Sequence, residues 1–263
     1  METGLKDKVA IVCAASEGLG RATADALAAE GCRLAICSRR APAIEQAAAE
    51  IRRTHGVEVM PLAADLRHAA DISRLVATAV EQFGGVDVLV TNVGGPKPGL
   101  FDALSDSDWY DAVDLLLMSA VRLCREVIPH MRKRGGGRII HITSIAVKQP
   151  VAGLMLSNAV RAAVVGFSKT LSRELAADRI TVNCVAPGYT RTARVTRLNE
   201  ATAQREGKPV SDVEQRLLAN IPAGRLGEPG ELAALIAFLA SARSGYITGS
   251  VVQVDGGSFA GLL

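Results

Sequence analysis

Short runs in which nearly every residue is apolar alternate along the chain with longer stretches whose apolar residues recur every three or four positions. The runs are Val9–Ala14, Arg33–Cys37, Val57–Leu62, Val86–Thr91, Gly137–Thr143, Ile180–Val185 and Val251–Val254. Their length and β-branched content predict strands. Because most are apolar at successive positions, neither face is expected to meet water, as in a parallel sheet covered by helices on both sides. The amphipathic stretches predict helices at 18–30, 41–54, 69–83, 106–133, 155–177 and 228–240, with starting signals at Ser105 to Asp108 and at Glu228-Pro229. Regular alternation of the two predicts an α/β fold: one doubly wound domain over residues 1–263, built on a seven-stranded parallel sheet.

One segment breaks the rhythm. Tyr189 to Asn220 is polar, rich in Arg, Thr and Glu, and lacks strand alternation. Ligands of open parallel sheets bind beyond the carboxyl ends of the strands, so residues 189–220 are read as an insertion over a substrate site. The alternative is a mobile surface hairpin.

Composition narrows the class. With 49% hydrophobic and 22% charged residues among 263, the chain carries a large core, which excludes disorder and collagen-like repeats. Thirty Lys and Arg against 27 Asp and Glu leave a net charge of +3. Arg191, Arg194, Arg197 and Arg205 sit among acids without aromatic partners, so no nucleic acid is expected as a partner. The N-terminal segment is charged and has no apolar h-region, and the longest apolar run, Leu232 to Ala240, is far short of a membrane span. A cytoplasmic protein without membrane attachment is expected. Five cysteines, an odd number with no Cys-x-x-Cys pair, read as reduced core residues. The four histidines lack metal-ligand spacing, and no metal site is expected.

The first strand runs into Cys13-Ala14-Ala15-Ser16-Glu17-Gly18-Leu19-Gly20-Arg21, which opens a helix. Small residues at such a turn let a pyrophosphate approach the backbone, where unpaired helix N–H groups and the positive end of the dipole hold negative charge. The second strand ends in Cys37-Ser38-Arg39-Arg40. An NAD-selective site places an acid there for the ribose 2′-hydroxyl; a hydroxyl and two guanidiniums suit a 2′-phosphate instead. NADP(H) is therefore expected over NAD(H), which stays as the alternative. Glu17 counts against it, as a carboxylate in the phosphate loop, and Arg39-Arg40 also reads as a solvated helix entry.

At this point the whole chain resembles the short-chain dehydrogenase/reductase family, whose fold is Rossmann-type. The loop through Gly18, Leu19 and Gly20 resembles the family's Thr-Gly-x-x-x-Gly-x-Gly, with Cys13 and Ala14 replacing its first two residues. Asp65-Leu66 resembles the pair that flanks the adenine, and Thr91-Asn92-Val93-Gly94 the Asn-Asn-Ala-Gly segment. Pro187-Gly188-Tyr189-Thr190-Arg191-Thr192 resembles the segment that contacts the nicotinamide amide, and Val254-Asp255-Gly256-Gly257 the C-terminal signature. The resemblance implies that Ala14, Ser16, Gly18, Leu19, Gly20, Ser38, Arg39, Arg40, Asp65, Leu66, Asn92, Gly94, Arg161, Pro187, Gly188, Thr190 and Thr192 line the cofactor. It also implies a homo-oligomer, tetramer or dimer, and a small carbonyl or alcohol substrate. An oxoacyl or small cyclic ketone is an analogy from the fold alone.

The catalytic set departs from the family. Members of this kind use Asn, Ser, Tyr and Lys, the last two one helical turn apart. Ser144 is kept, but Leu116 stands at the Asn position, Ser157 at the Tyr and Arg161 at the Lys. A serine hydroxyl is a far weaker acid than a phenol, and Arg keeps its proton. Ser144, Ser157 and Arg161 are thus the expected catalytic residues of a modified proton-transfer step, with water, Lys148 or Lys97 as the proton source. Ser157 also reads as a helix-cap hydroxyl beside Asn158. A binding or scaffold member that holds a dinucleotide without turnover is the alternative.

Overall fold

The structure, a computed structural model, describes residues 2–262. Seven strands form one sheet: β1 (Val9–Cys13), β2 (Arg33–Ser38), β3 (Val59–Ala63), β4 (Val88–Thr91), β5 (Gly137–Ile142), β6 (Ile180–Pro187) and β7 (Val251–Val254). Their order is β3-β2-β1-β4-β5-β6-β7, and every pairing is parallel. Each sequence-predicted strand is present, with ends shifted by two residues or fewer.

Strand order reverses between β1 and β4, and the crevice of a doubly wound sheet opens at that reversal. Helices α1 (Gly18–Ala29) and α2 (Ala41–His55) cover one face together with the later helix α9 (Pro229–Ala240), burying Leu27, Ile44, Ile51 and Ile236 against Val12, Ile36 and Val90. The other face receives α3 (Ala69–Phe83), α5 (Ser119–Lys133) and the end of α6 (Met155–Glu174). There Ile72, Leu75, Leu123 and Met131 pack on Ile11, Leu89 and Ile139. Residues of alternate parity along each strand serve opposite layers, which is why the strands read as continuously apolar. All five cysteines are buried and free.

Two elements differ from the sequence expectation. The helix expected over 106–133 is broken: α4 (Asp106–Ala112) leads through a π-helical turn, Val113–Met118, into α5. The Ser119 N–H donates back five residues to the Asp114 carbonyl, and its hydroxyl donates to the Leu115 carbonyl at 2.6 Å. One extra residue in a turn leaves the apolar spacing on either side nearly intact, so the pattern did not register it. The start of α4 is as expected, with Ser105 and Asp108 forming a reciprocal cap.

The segment 189–220 is mainly helical: α7 (Ala193–Glu206) is followed by α8 (Val210–Ala219), and α7 reaches the loops after β1 and β4 through Arg197 and Arg194. Among their residues only Asn199, Ala203 and Val213 are fully buried, so the pair lacks the broad apolar stripe that marks a core helix. Local bonds hold it instead. Thr192 caps α7, Arg216 grips Glu206 through both guanidinium nitrogens at 2.9 and 3.0 Å, and Gly207 ends α7 at φ +62°.

Candidate active site and nucleotide loop

The turn from β1 to α1 is built around Ala14, whose φ of +49° is unusual for a residue with a side chain. The turn is tight because a Cβ at Gly20 would lie 2.2 Å from the Ala14 carbonyl oxygen. Gly18, at φ +60°, faces the Thr192 methyl, its ideal Cβ 3.6 Å away. No side chain caps α1, whose N-cap Glu17 is extended, so the first N–H groups of the helix point outward without a partner. Ser16 and Leu19 flank this opening at intermediate burial.

Glu17 leaves the loop and reaches Arg197 of α7 at 3.9 Å. Its carboxylate is thus partly offset from the far side of the crevice. Next to the loop, the end of β2 presents Arg39 and Arg40, both exposed and without an acidic partner among the described residues. The Ser38 hydroxyl donates to the Arg40 carbonyl at 3.3 Å. At the end of β3, Asp65 is already engaged: Arg67 binds its carboxylate at 2.6 Å and holds it down to about 2. Leu66 is buried in the core beside it.

Beyond β4, Asn92 is half-buried, and a Cβ at Gly94 would meet nothing within 4 Å. Pro187 closes β6. The Gly188 N–H bonds to Val254 at 2.9 Å, and a side chain there would strike the Asp255 Cα at 2.7 Å. Thr190 is buried on a bridge to Gly227. The loops after β1, β2, β4 and β6 leave the carboxyl ends of their strands, where an open parallel sheet binds its ligands, while Leu66 after β3 is part of the core.

Ser144, Ser157 and Arg161 are gathered at the end of β5. Arg161 donates from Nε to Ser157 Oγ at 3.2 Å, and from Nη1 to the carbonyls of Ile142 and Thr143 at 3.2 and 3.0 Å. The i, i+4 spacing on α6 sets the first of these; the last residue of β5 and the one after it supply the other two. Ser144 Oγ accepts from the Ala146 N–H at 3.1 Å. Burial, with the charge of Arg194 second, lowers Arg161 to about 10, so it remains charged at neutral pH. Behind it lies a cavity of ≈ 10 Å³, lined by Asn92, Leu116, Ser119, Thr143 and Arg161 among others. That is about the room one water needs.

Among the described residues neither Lys97 nor Lys148 bonds to Ser144, Ser157 or Arg161. Lys97 is paired with Asp108 at 2.9 Å, and Lys148 stands 6.0 Å over the ring of Phe259. Of the three tyrosines, Tyr110 and Tyr246 are exposed and burial raises Tyr189, so none of them is an acidified phenol. Among the described residues no group of His, Cys, Asp or Glu is arranged for a metal, and no helix is long and apolar enough to cross a membrane. A surface depression of ≈ 490 Å³ near Arg52 and Val57 lies at the opposite end of the strands.

Sequence reasoning missed one contributor to the site. Arg194 crosses from α7 to the loop after β4, donating to the Pro96 carbonyl at 3.2 Å across a separation of 98 residues. Gly95 permits this approach, since a Cβ there would lie 2.6 Å from Arg194 Nη2. No spacing rule connects positions so far apart.

Residues 13–258 match the family described as enoyl-(acyl carrier protein) reductase. The chain is 36% identical over 255 residues to rabbit (Oryctolagus cuniculus) dehydrogenase/reductase SDR family member 4, covering 97% of this chain and 94% of that protein. It is 35% identical to a 3-oxoacyl-[acyl-carrier-protein] reductase of Vibrio cholerae, covering 97% and 98%. L-sorbose reductase from Gluconobacter frateurii, solved with NADPH and L-sorbose, superposes with a TM-score of 0.95 at 34% identity over 100% of both chains. With its sheet order, its glycine loop and these relatives agreeing, the chain belongs to the short-chain dehydrogenase/reductase family.

Proposed function

We propose that the protein is an NADP(H)-dependent oxidoreductase acting on a small carbonyl or alcohol, with a proton-transfer step built from Ser144, Ser157 and Arg161. The observation that carries this reading is the Ser157–Arg161 bond at 3.2 Å, formed where the family resemblance puts Tyr and Lys. The site has been rebuilt with polar groups, whereas an abandoned one would fill with apolar side chains.

The crevice fits the dinucleotide. Unpartnered N–H groups at the start of α1 suit a pyrophosphate, and the packed Gly20 lets it approach the backbone. Arg39 and Arg40 offer two unpaired guanidiniums for a 2′-phosphate. L-sorbose reductase, of the same fold and 34% identical, is a protein whose complex contains NADPH. Asn92, Gly94, Pro187, Gly188, Thr190 and Thr192 would line the nicotinamide end. A bound nicotinamide would supply or receive the hydride.

The rest falls to the chain. Because Ser157 Oγ and Ser144 Oγ each accept a hydrogen bond, each hydroxyl hydrogen is left to donate to a substrate oxygen. Arg161 holds its positive charge beside them and stabilises negative charge growing on that oxygen. Neither serine is acidic enough to be the ultimate donor, so the proton comes from water through these hydroxyls. Helices α7 and α8 cover the substrate as the insertion over 189–220.

One observation favours a second reading, a dinucleotide-binding member without turnover: Leu116, buried in the π turn, faces the cavity behind Arg161 with an apolar side chain where the family resemblance puts Asn. The test is a titration with NADPH and NADH followed by energy transfer from Trp109, then a screen of carbonyl substrates. Micromolar NADPH binding with turnover supports the enzyme. Tight binding with no turnover supports the second reading, and binding of neither nucleotide overturns both.

A further inference from the structure

Cations around the crevice are, with few exceptions, matched to acids. Lys97 pairs with Asp108 at 2.9 Å, Arg191 with Glu228 at 2.9 Å, Arg197 with Glu17 at 3.9 Å and Arg205 with Glu206 at 3.8 Å. Arg161 and Arg194 are not. Both are partly buried, and each bonds only to neutral groups: Arg161 to Ser157 Oγ and two backbone carbonyls, Arg194 to the Pro96 carbonyl. The charge of Arg194 also lowers the proton affinity of Arg161, second to burial. Half-buried guanidiniums without an acid are unfavourable unless an anion joins them.

We propose that this anion is a carboxylate on the substrate, so that the enzyme acts on an oxo acid or hydroxy acid, bound by Arg194 with Arg161 behind it. The inference rests on the reading of the chain as an NADP(H)-dependent reductase and specifies its substrate class. A planar guanidinium fork matches a carboxylate in a bidentate manner, and partial burial strengthens the pair over its counterpart in water.

The dinucleotide pyrophosphate is the other source of an anion, and the geometry separates the two. Arg194 and Arg197 lie three apart on α7, hence on one face of the helix. Arg197 reaches Glu17, which precedes the first turn of α1 where a pyrophosphate would sit. Arg194 reaches Pro96, beyond the end of β4. The loop that carries Pro96 is tied in turn to the segment before α6 by the Gly99 N–H on Gly153, at 2.8 Å. Arg194 therefore stands on the side of Ser157 and Arg161, and its partner is substrate.

Calorimetric titration of 4-oxopentanoate and of its methyl ester into the NADPH-saturated protein tests this. The acid is expected to bind the parent at least about ten-fold more tightly than the ester, a difference of about 1.4 kcal/mol. Arg194→Gln should abolish that preference, Arg194→Lys should keep part of it, and the NADPH dissociation constant of both should stay within about two-fold of the parent value. Equal binding of acid and ester to the parent overturns the proposal, as does a preference that survives Arg194→Gln. Weakened NADPH binding in Arg194→Gln, with acid and ester still distinguished, assigns the residue to the pyrophosphate instead. If NADPH fails to bind the parent, the reductase reading falls, and the same comparison on the nucleotide-free protein still decides whether Arg194 selects a carboxylate. Melting temperatures of both variants confirm that they are folded.

Discussion

Arg161 and Ser157 are joined by a 3.2 Å hydrogen bond across one turn of α6, while the same guanidinium clasps the carbonyl ends of β5. The bond ties the two side chains together and leaves the Ser157 hydroxyl hydrogen free to donate elsewhere. Restoring the family residues should improve the proton step. We expect Ser157→Tyr combined with Arg161→Lys to raise kcat on a reducible ketone by at least about ten-fold, equivalent to about 1.4 kcal/mol of barrier, because a phenol beside an ammonium is a far better acid near neutral pH. Arg161→Lys alone should not, because no phenol is present for it to acidify. Steady-state kinetics of the parent, the single and the double variant decide it. A double variant no faster than the parent would show that the proton does not pass through this pair.

The exposed Arg39 and Arg40 at the end of β2 are expected to set nucleotide choice. Replacing both with Ala should weaken NADPH binding by roughly 100-fold, at about 1.5–3 kcal/mol for charge-assisted bonds to a phosphate, while NADH binding changes little. The readout is the pair of dissociation constants, measured at fixed salt. Equal losses for the two nucleotides would mean that the arginines contribute only general charge.

Ala14 holds a left-handed backbone at φ +49° where the family resemblance puts glycine. Strain there costs about 1–2 kcal/mol for a residue with a side chain, while placing glycine in the unfolded chain costs about 0.4–1 kcal/mol. The first term is larger. Ala14→Gly should therefore raise stability by about 0.5–1 kcal/mol, seen as a small upward shift of the melting temperature. The neighbouring Gly20 gives the reverse result: its Cβ would meet the Ala14 oxygen at 2.2 Å, so Gly20→Ala should open the turn and lower NADPH affinity by more than ten-fold, about 1.4 kcal/mol. Unchanged affinity in Gly20→Ala would remove the tight turn from the binding argument.

What could be read from the sequence follows from where each element buries its residues. All seven strands were legible because Val12, Ile36, Leu89 and Ile139 face helices on one side of the sheet or the other and so impose apolar runs. The nucleotide loop was legible because its glycines serve a local turn. By contrast, α7 and α8 bury few residues, Asn199, Ala203 and Val213, so they carry little apolar signal. Leu116 was placed by resemblance, but not the π turn that holds it, since one inserted residue barely shifts the pattern. The contacts of Arg194 with Pro96 and of Arg197 with Glu17 join distant positions through the folded chain alone.

His141 makes the fold sensitive to acid. It is fully buried on β5, with Nδ1 2.7 Å from Thr91 Oγ1 and Nε2 without a hydrogen-bond partner among the described residues. The ring lies tilted against Phe167, its centroid 6.0 Å away. An imidazolium needs acceptors at both nitrogens and finds none at Nε2, so burial lowers the group from 6.5 to about 4. Because the folded value lies below the unfolded one, the unfolded chain takes up the proton first. Stability should hold above about 6.5, fall as pH drops from there to about 4, and lose nothing further to this residue below that. The total is roughly 3 kcal/mol at 1.36 kcal/mol per unit. Urea unfolding between pH 7.5 and pH 4, in the parent and in His141→Gln, measures it; the variant should start less stable but show a shallower acid decline. Parallel pH profiles for the two proteins would assign the acid sensitivity to other groups.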